Sequence, residues 1–174
     1  MDEDTRSEAD FSRPEADLIF LRPMAAEDTD SIVAWRNTDR VRHNFIDQRL
    51  FTAKGHQNWI RTQVEPGHVV QFIICEKGSG RGVGSVYFRD IDREKGCAEY
   101  GIFIGEEDAA KLALAYAFKT LHLKTVFLRV FSDNTGARRS YEKAGFRLIA
   151  DRREEIVTGE VTRSMVFYEC KCPD

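Results

Sequence analysis

The sequence predicts an α/β fold of the α+β kind, in which helices pack on one central sheet of about seven strands. Apolar runs of strand length and runs with helical spacing follow in the order strand, two helices, three strands, helix, strand, helix, two strands. The chain has 174 residues, of which 42% are hydrophobic. That length suffices for one domain with a sizeable core and is short for two.

Composition and charge limit the kinds of partner that this protein can have and its expected place in the cell. The formal net charge of -3 gives no general attraction to nucleic acid. We expect no membrane partner and a cytoplasmic protein, because no apolar run is long enough to span a bilayer and the first residues do not have the order of a signal peptide. The four cysteines lack metal-ligand spacing, which predicts reduced thiols and no metal site. Residues 1–16 are acidic without apolar periodicity, so we expect a disordered tail before a single domain at residues 17–172.

Local signals place the individual elements. Thr52 suits the N-cap of the second helix, because its hydroxyl oxygen can accept from the free N–H groups of the first turn. Gly145 ends the last helix as a residue that tolerates positive φ. Residues 69–75, 83–91 and 98–104 are successive strands joined by polar turns, which predicts an antiparallel meander. The other elements are strands at residues 18–21, 125–131, 146–156 and 161–170, and helices at residues 27–37, 109–121 and 137–144.

The last helix and the residues around it carry a distinctive pattern, Asp-Asn-x-x-Ala-x-x-x-Tyr-Glu-Lys-x-Gly-Phe. Its members are Asn134, Ala137, Tyr141, Glu142, Lys143, Gly145 and Phe146. In this motif and in its order of elements the chain resembles the GNAT superfamily of acyl-CoA-dependent N-acyltransferases, over about residues 18–169. The resemblance implies a mixed sheet with helices on both faces. It also implies that the strands at residues 98–104 and 125–131 splay apart, so that the pantetheine arm of coenzyme A (CoA) lies between them.

The opening of the chain is similar to one branch of that superfamily. Trp35-Arg36-Asn37 resembles the ribosomal-protein-alanine and amino-sugar-nucleotide N-acetyltransferases, and Arg42 favours the second group. The resemblance implies transfer of an acetyl group from acetyl-CoA to a primary amine of a small molecule such as an amino-sugar nucleotide. A protein N-terminus is the alternative acceptor. Acceptor contacts are expected from Trp35, Arg36, Asn37 and Arg42, although Trp35 also suits simple core packing.

The resemblance implies cofactor contacts in two places. Backbone N–H groups of the fourth strand would bind the pantetheine amide or polarise the thioester carbonyl, and the start of the last helix would supply side chains. The expected residues are Ile102, Phe103, Ile104, Asn134, Ala137 and Arg138. Since one side chain rarely caps a helix and binds a ligand together, we expect Asn134 to contact the cofactor and Asp133 or Thr135 to cap the helix.

Transfer of an acetyl group to an amine requires a neutral amine and a proton for the departing thiolate. Glu99 is predicted as the general base, directly or through a water, because it is the only carboxylate inside its strand. Pairing with an arginine across the sheet is an equally good interpretation of Glu99. Tyr141 is predicted to protonate the thiolate, the alternative being a packed aromatic. The four histidines are scattered and receive no role.

One expected part of the site is missing from the sequence. The family's Gln/Arg-x-x-Gly-x-Gly/Ala loop cradles the pyrophosphate of CoA with backbone N–H groups. Here the corresponding residues 105–110 read Gly-Glu-Glu-Asp-Ala-Ala, and three carboxylates repel phosphate. Either the protein lacks the loop, or the sequence is missing about ten residues at this point. Without the loop, a catalytically inactive binding module becomes the alternative function. The closing hairpin offers a pairing surface for a homodimer.

Overall fold

The computed structural model describes residues 18–104 and 107–174, and of Glu107 only the backbone. The predicted acidic tail and the first two residues of the Gly105–Ala110 segment lie outside the described residues. Within them, one mixed sheet of seven strands has the order β1-β2-β3-β4-β5-β7-β6. The strands are β1 (Ile19–Pro23), β2 (Val70–Glu76), β3 (Gly82–Asp92), β4 (Cys97–Phe103), β5 (Thr125–Phe131), β6 (Arg147–Thr158) and β7 (Val161–Lys171).

Five α-helices connect these strands in the described part of the chain. They are α1 (Thr29–Arg36), α2 (Asp39–Arg42), α3 (Ala53–Trp59), α4 (Glu107–Lys119) and α5 (Thr135–Ala144). The predicted second helix is α3, and after Trp59 it widens into a π-helical turn at Ile60–Val64. Its cap is confirmed, since the hydroxyl of Thr52 accepts from the Gly55 N–H at 3.0 Å. No helix among the described residues combines the length and the apolarity needed to cross a bilayer.

The sheet opens between its two central strands. The meander of β2, β3 and β4 is antiparallel as predicted. β4 runs parallel to β5 but pairs with it only through Cys97, Ala98 and Glu99. From Tyr100 to Phe103, β4 continues beside β3 alone. This confirms the predicted splay, and it leaves the β5-facing backbone groups of residues 100–103 without a strand partner.

Helices cover both faces of the sheet, each over its own core. One core includes Val86, Phe88 and Val126 and lies against α4, where alanines such as Ala113 are fully buried and let the helix approach closely. The second core includes Ile32 of α1, Val41 of α2, Ile73, Cys75 and Phe103. Neighbouring residues of a strand belong to different cores, as expected when side chains alternate between the two faces.

The last helix ends as the sequence predicts. Gly145 adopts φ of 109°, and its N–H returns to the carbonyls of Tyr141 and Glu142. Phe146 follows directly and is almost fully buried. The glycine therefore turns the chain so that α5 stays in contact with the sheet, which fixes the position of Tyr141.

Candidate active site

A cavity of about 1080 Å³ lies where the sheet splays. Its wall comes mainly from α1, α2, α3 with the segment before it, β3, β4, β5 and α5. It therefore joins the predicted acceptor region to the predicted cofactor region. Of the sequence-predicted site residues it brings together Arg36, Glu99, Ile102, Phe103, Ile104, Asn134, Ala137 and Tyr141.

Three buried polar atoms on this cavity wall have no hydrogen-bond partner. Among the described residues, the buried side-chain nitrogen and oxygen atoms without a partner are Arg36 Nη1, His56 Nε2 and the Tyr100 hydroxyl. All three residues line the same cavity. Leaving such an atom unpaired costs about 1–3 kcal/mol, so folded proteins seldom keep them without a use. Three such atoms in the residues of one cavity make it the candidate site for a polar ligand.

Arg36 ends α1 and lies against two aromatic rings. Its guanidinium carbon stands 3.5 Å from the centroid of Phe45 and 5.8 Å from that of Phe51. Nη2 donates to the Asp47 carbonyl at 3.3 Å, while Nη1 has no partner. Burial lowers the pKa of Arg36, but an arginine starts so high that it stays charged. A fixed cation with a free N–H is thus available in the cavity.

The other three predicted acceptor residues do not line the cavity. Trp35 packs on the second core, which is the alternative that the sequence left open. The amide of Asn37 clamps the backbone of Phe51, donating to its carbonyl at 2.8 Å and accepting from its N–H at 2.7 Å. Arg42 faces a separate shallow surface depression beside Asp39. Asn37 therefore fixes the backbone of Phe51, a residue of the cavity wall, without lining the cavity itself. Arg42 does not line the cavity.

Glu99 lies in the cavity wall between two arginines. Its Oε1 accepts from Arg129 Nε at 2.8 Å, and its Oε2 accepts from Arg89 Nε and Nη2 at 3.1 and 3.0 Å. The carboxylate side chain is 12% exposed. The cross-strand pairing that the sequence allowed is therefore present. The role of Glu99 as a base stays a prediction.

Tyr141 lies at the mouth of the splay. Its ring packs edge-on against Tyr100, at 6.2 Å between centroids, and against Phe146 at 5.9 Å. Its hydroxyl makes no hydrogen bond to the part of the chain described here. Burial raises the pKa of Tyr141, and the neighbouring Tyr87 raises it further. The phenol is therefore held in the protonated form that an acid requires.

Sequence reasoning missed Tyr87, which crosses β4 at a glycine. Tyr87 pairs with Gly101 in the β3–β4 ladder, and a β-carbon at position 101 would overlap the Tyr87 phenol. The missing side chain lets Tyr87 cover the strand and line the cavity. A glycine in the interior of a strand is the signal that could have indicated this close approach.

The start of α5 differs from the prediction in its cap. Asn134 itself is the N-cap, with Oδ1 accepting from the Ala137 N–H at 3.4 Å. The prediction that Asp133 or Thr135 caps the helix is wrong, because both Asp133 oxygens are held by Arg163, at 3.2 and 2.7 Å. Asn134 also lines the cavity, so capping does not remove it from the site.

The predicted cofactor residue Arg138 does not face the cavity. The Arg138 guanidinium binds inward, donating to the Tyr168 hydroxyl and to the Ser132 carbonyl, each at 3.0 Å. It does not line the cavity, whereas Arg139 and Lys143 of the same helix do. Among the residues that the structure describes, the cavity wall carries six basic residues and two acidic ones. They are Arg36, Arg40, Arg89, Arg129, Arg139 and Lys143, against Asp47 and Glu99.

These features agree with what the chain matches among known proteins. Residues 19–147 match the acetyltransferase (GNAT) domain family. That match covers most of the chain, which therefore belongs to the GNAT acetyltransferases: it is an N-acetyltransferase whose acyl donor is acetyl-CoA. No curated protein matches the chain significantly. Within the described residues, no group of three or more His, Cys, Asp or Glu side chains is placed to hold a metal ion.

Solved structures with the same fold include spermidine N-acetyltransferases from Vibrio cholerae. The complex with CoA and spermine has 18% identity and a TM-score of 0.81, covering 89% of this chain and 96% of that one. A complex with manganese ions has 19% identity and a TM-score of 0.72, covering 91% and 95%. A dodecameric structure has 20% identity and a TM-score of 0.72, covering 89% and 94%. These likenesses establish the fold, and they do not support the branch that Trp35-Arg36-Asn37 suggested.

Proposed function

We propose that this enzyme acetylates the primary amine of a small molecule that also carries negative charge, with an amino-sugar nucleotide as the first choice. The observation that carries the proposal is the excess of basic over acidic side chains among the described residues of the cavity wall. A cleft lined by one sign of charge concentrates ligands of the opposite sign. Spermidine and spermine are polycations, so the acceptor named for the Vibrio cholerae structures suits this cavity poorly.

Arg36 is the residue that we assign to the acceptor's anionic group. Its guanidinium is held by Phe45 and by the Asp47 carbonyl, with Nη1 left free. A planar guanidinium fixed in this way offers a directed N–H and a full charge to a phosphate or carboxylate oxygen.

The residues at the splay fit acetyl-CoA. The unpaired backbone of residues 100–103 can receive the pantetheine amides as an added strand. Ile102, Phe103 and Ile104 supply that edge, and Asn134 and Ala137 line the cavity beyond it. Arg139 and Lys143, rather than Arg138, provide positive charge for the phosphates.

The residues of this chain then act on the two protons of the reaction. The neutral amine attacks the thioester carbonyl carbon, the new C–N bond forms, and the C–S bond breaks. The Tyr141 hydroxyl gives its proton to the departing sulfur, producing free CoA thiol, and solvent reprotonates the tyrosine. The proton that the amine loses passes by way of a water to Glu99, whose Oε1 accepts only one hydrogen bond from the described residues. A pH–rate profile of Glu99→Gln with the height and shape of wild type would remove Glu99 from the mechanism.

The experiment that tests the acceptor class is thiol release from acetyl-CoA over a panel of amines. The panel contains an amino-sugar nucleotide, a peptide with a free N-terminus, and spermidine. We expect kcat/KM to be highest for the phosphate-bearing amine. Arg36→Met is expected to raise KM for that amine about tenfold, the loss of one charge-assisted hydrogen bond.

The matched control removes an exposed arginine outside the cavity. Arg81 pairs with Glu76 on the surface. Arg81→Met is therefore expected to leave the KM for the amine and the KM for acetyl-CoA unchanged. A spermidine kcat/KM above that of the anionic amine, or equal KM values in the two variants, would contradict the proposed acceptor.

Membership of the GNAT acetyltransferases argues against the binding module without catalysis that the carboxylates of residues 105–110 suggested. Titration calorimetry with CoA separates the two functions. The enzyme is expected to bind CoA and release thiol from acetyl-CoA, while a protein that shows neither is a module that has kept only the fold.

A further inference from the structure

His56 is a buried histidine in the wall of the cavity, and no role was predicted for it. It lies in α3 and is 1% exposed. Its Nδ1 is 2.8 Å from the hydroxyl oxygen of Thr29, and that hydroxyl is 2.8 Å from the carbonyl of Ala26. Its Nε2 has no partner among the described residues.

The hydrogen bonds determine which ring nitrogen carries the proton. The Ala26 carbonyl can only accept, so the single hydrogen of the Thr29 hydroxyl is donated to it. The remaining contact needs a donor, which must be the Nδ1–H of His56. Nε2 is therefore the bare nitrogen of a neutral imidazole, and it can only accept.

The surroundings keep this imidazole neutral. Burial lowers the pKa of His56. Asp28 is the nearby carboxylate that favours the charged form, but both of its oxygens are bound by Arg22, at 2.8 and 2.7 Å. The ring packs edge-on against Phe51 at 5.9 Å between centroids. An apolar side chain would fill the same space without an unpaired acceptor, so packing alone does not account for a histidine here.

We propose that His56 binds the acceptor molecule by accepting, at Nε2, a hydrogen bond from an N–H or O–H group of that molecule. This inference rests on the proposed function. The inference extends the proposed function, because Arg36 and His56 then bind complementary groups of one acceptor molecule. Arg36 offers an unused donor and positive charge, and His56 offers an unused acceptor. An amine that also bears hydroxyls and a phosphate satisfies both, whereas a simple polyamine leaves Arg36 unpaired.

Two substitutions at position 56 separate the two ring nitrogens. His56→Asn keeps an amide near the Nδ1 position, where it can still bind Thr29, and removes the acceptor at Nε2. His56→Gln places its amide near the Nε2 position. We expect His56→Asn to raise KM for the amine about tenfold with KM for acetyl-CoA unchanged, and His56→Gln to recover part of that loss. A merely structural role predicts the opposite order, or equal effects on both substrates.

A measurement on the wild-type enzyme needs no variant to fold. In nitrogen-15 spectra of histidine-labelled protein, we expect Nδ1 of His56 to be protonated and Nε2 bare, with Nε2 shifting when the amine is added. His56→Asn identifies the resonance. A protonated Nε2 overturns the inference, as does an unchanged Nε2 shift with an amine that the enzyme acetylates.

Failure of the proposed function looks different from failure of this inference. If no amine in the panel releases thiol from acetyl-CoA with the wild-type enzyme, the proposed function fails and the assignment of His56 falls with it. If an amine is acetylated and its KM is the same in wild type and His56→Asn, only the assignment of His56 is overturned.

Discussion

Tyr141→Phe is the substitution that most directly tests the chemistry assigned to the splay. It removes one oxygen and keeps the ring that packs on Tyr100 and Phe146. Because the hydroxyl has no hydrogen bond to the residues described, its loss leaves no partner unpaired. We therefore expect the free energy of unfolding to change by less than about 1 kcal/mol.

The expected effect on the reaction is much larger than the effect on stability. A positioned general acid contributes about 10²- to 10⁴-fold to a rate. Burial and the nearby Tyr87 raise the pKa of Tyr141, so the phenol keeps the proton that the proposed acid role requires. We expect kcat to fall at least about 100-fold, which corresponds to about 2.7 kcal/mol of transition-state stabilisation.

The assay is thiol release at saturating amine, together with calorimetry of CoA binding to the variant. Tyr116→Phe is the matched control, since Tyr116 packs edge-on against Phe72 and does not line the cavity. It should leave kcat unchanged. A kcat for Tyr141→Phe within threefold of wild type, with CoA binding kept, would refute the acid role. Loss of CoA binding would instead make Tyr141 a packing residue of the cofactor site.

Three further predictions concern stability, each followed by urea unfolding. Tyr100→Phe is expected to raise the free energy of unfolding by about 1 kcal/mol, because it removes an unpaired buried hydroxyl, and a lowered value would show that this hydroxyl is bonded. The pKa of His56 is lowered in the folded protein, so at low pH the unfolded chain binds one more proton than the folded one. The free energy of unfolding should therefore fall as pH drops below about 6.5. His56→Asn should lack this part of the pH dependence. Gly145→Ala is expected to lower the free energy of unfolding by about 1–2 kcal/mol, because φ at Gly145 is 109°. Gly136→Ala should raise it slightly, because Gly136 lies within α5 and no atom would crowd its new methyl group. Equal effects of the two substitutions would contradict the backbone argument.

The elements of this fold follow from signals that are local in the sequence. Thr52 begins a helix and Gly145 ends one, each through a hydrogen bond to a residue no more than four positions away. The sequence is therefore enough to predict these two helix ends. Apolar runs likewise mark the central strands, because a strand in the middle of the sheet buries side chains on both faces. Boundaries moved by only a few residues. The clearest exception is the π-helical turn after Trp59, for which the sequence carries no local signal.

The site residues were predicted less completely, since their roles depend on partners distant in the chain. Asp133 does not cap α5 because Arg163, thirty residues further on, takes both of its oxygens. Glu99 is held by arginines from β3 and β5.

Sequence alone therefore determined the order of strands and helices, most of the helix ends and the motif that identifies the family. Tertiary structure decided that Arg139 rather than Arg138 lines the cavity, and that Nε2 of His56 has no partner among the described residues. The physical reason is range. Backbone conformation is set within a few residues, whereas the protonation, direction and availability of a polar side chain are set by whichever groups the fold brings beside it.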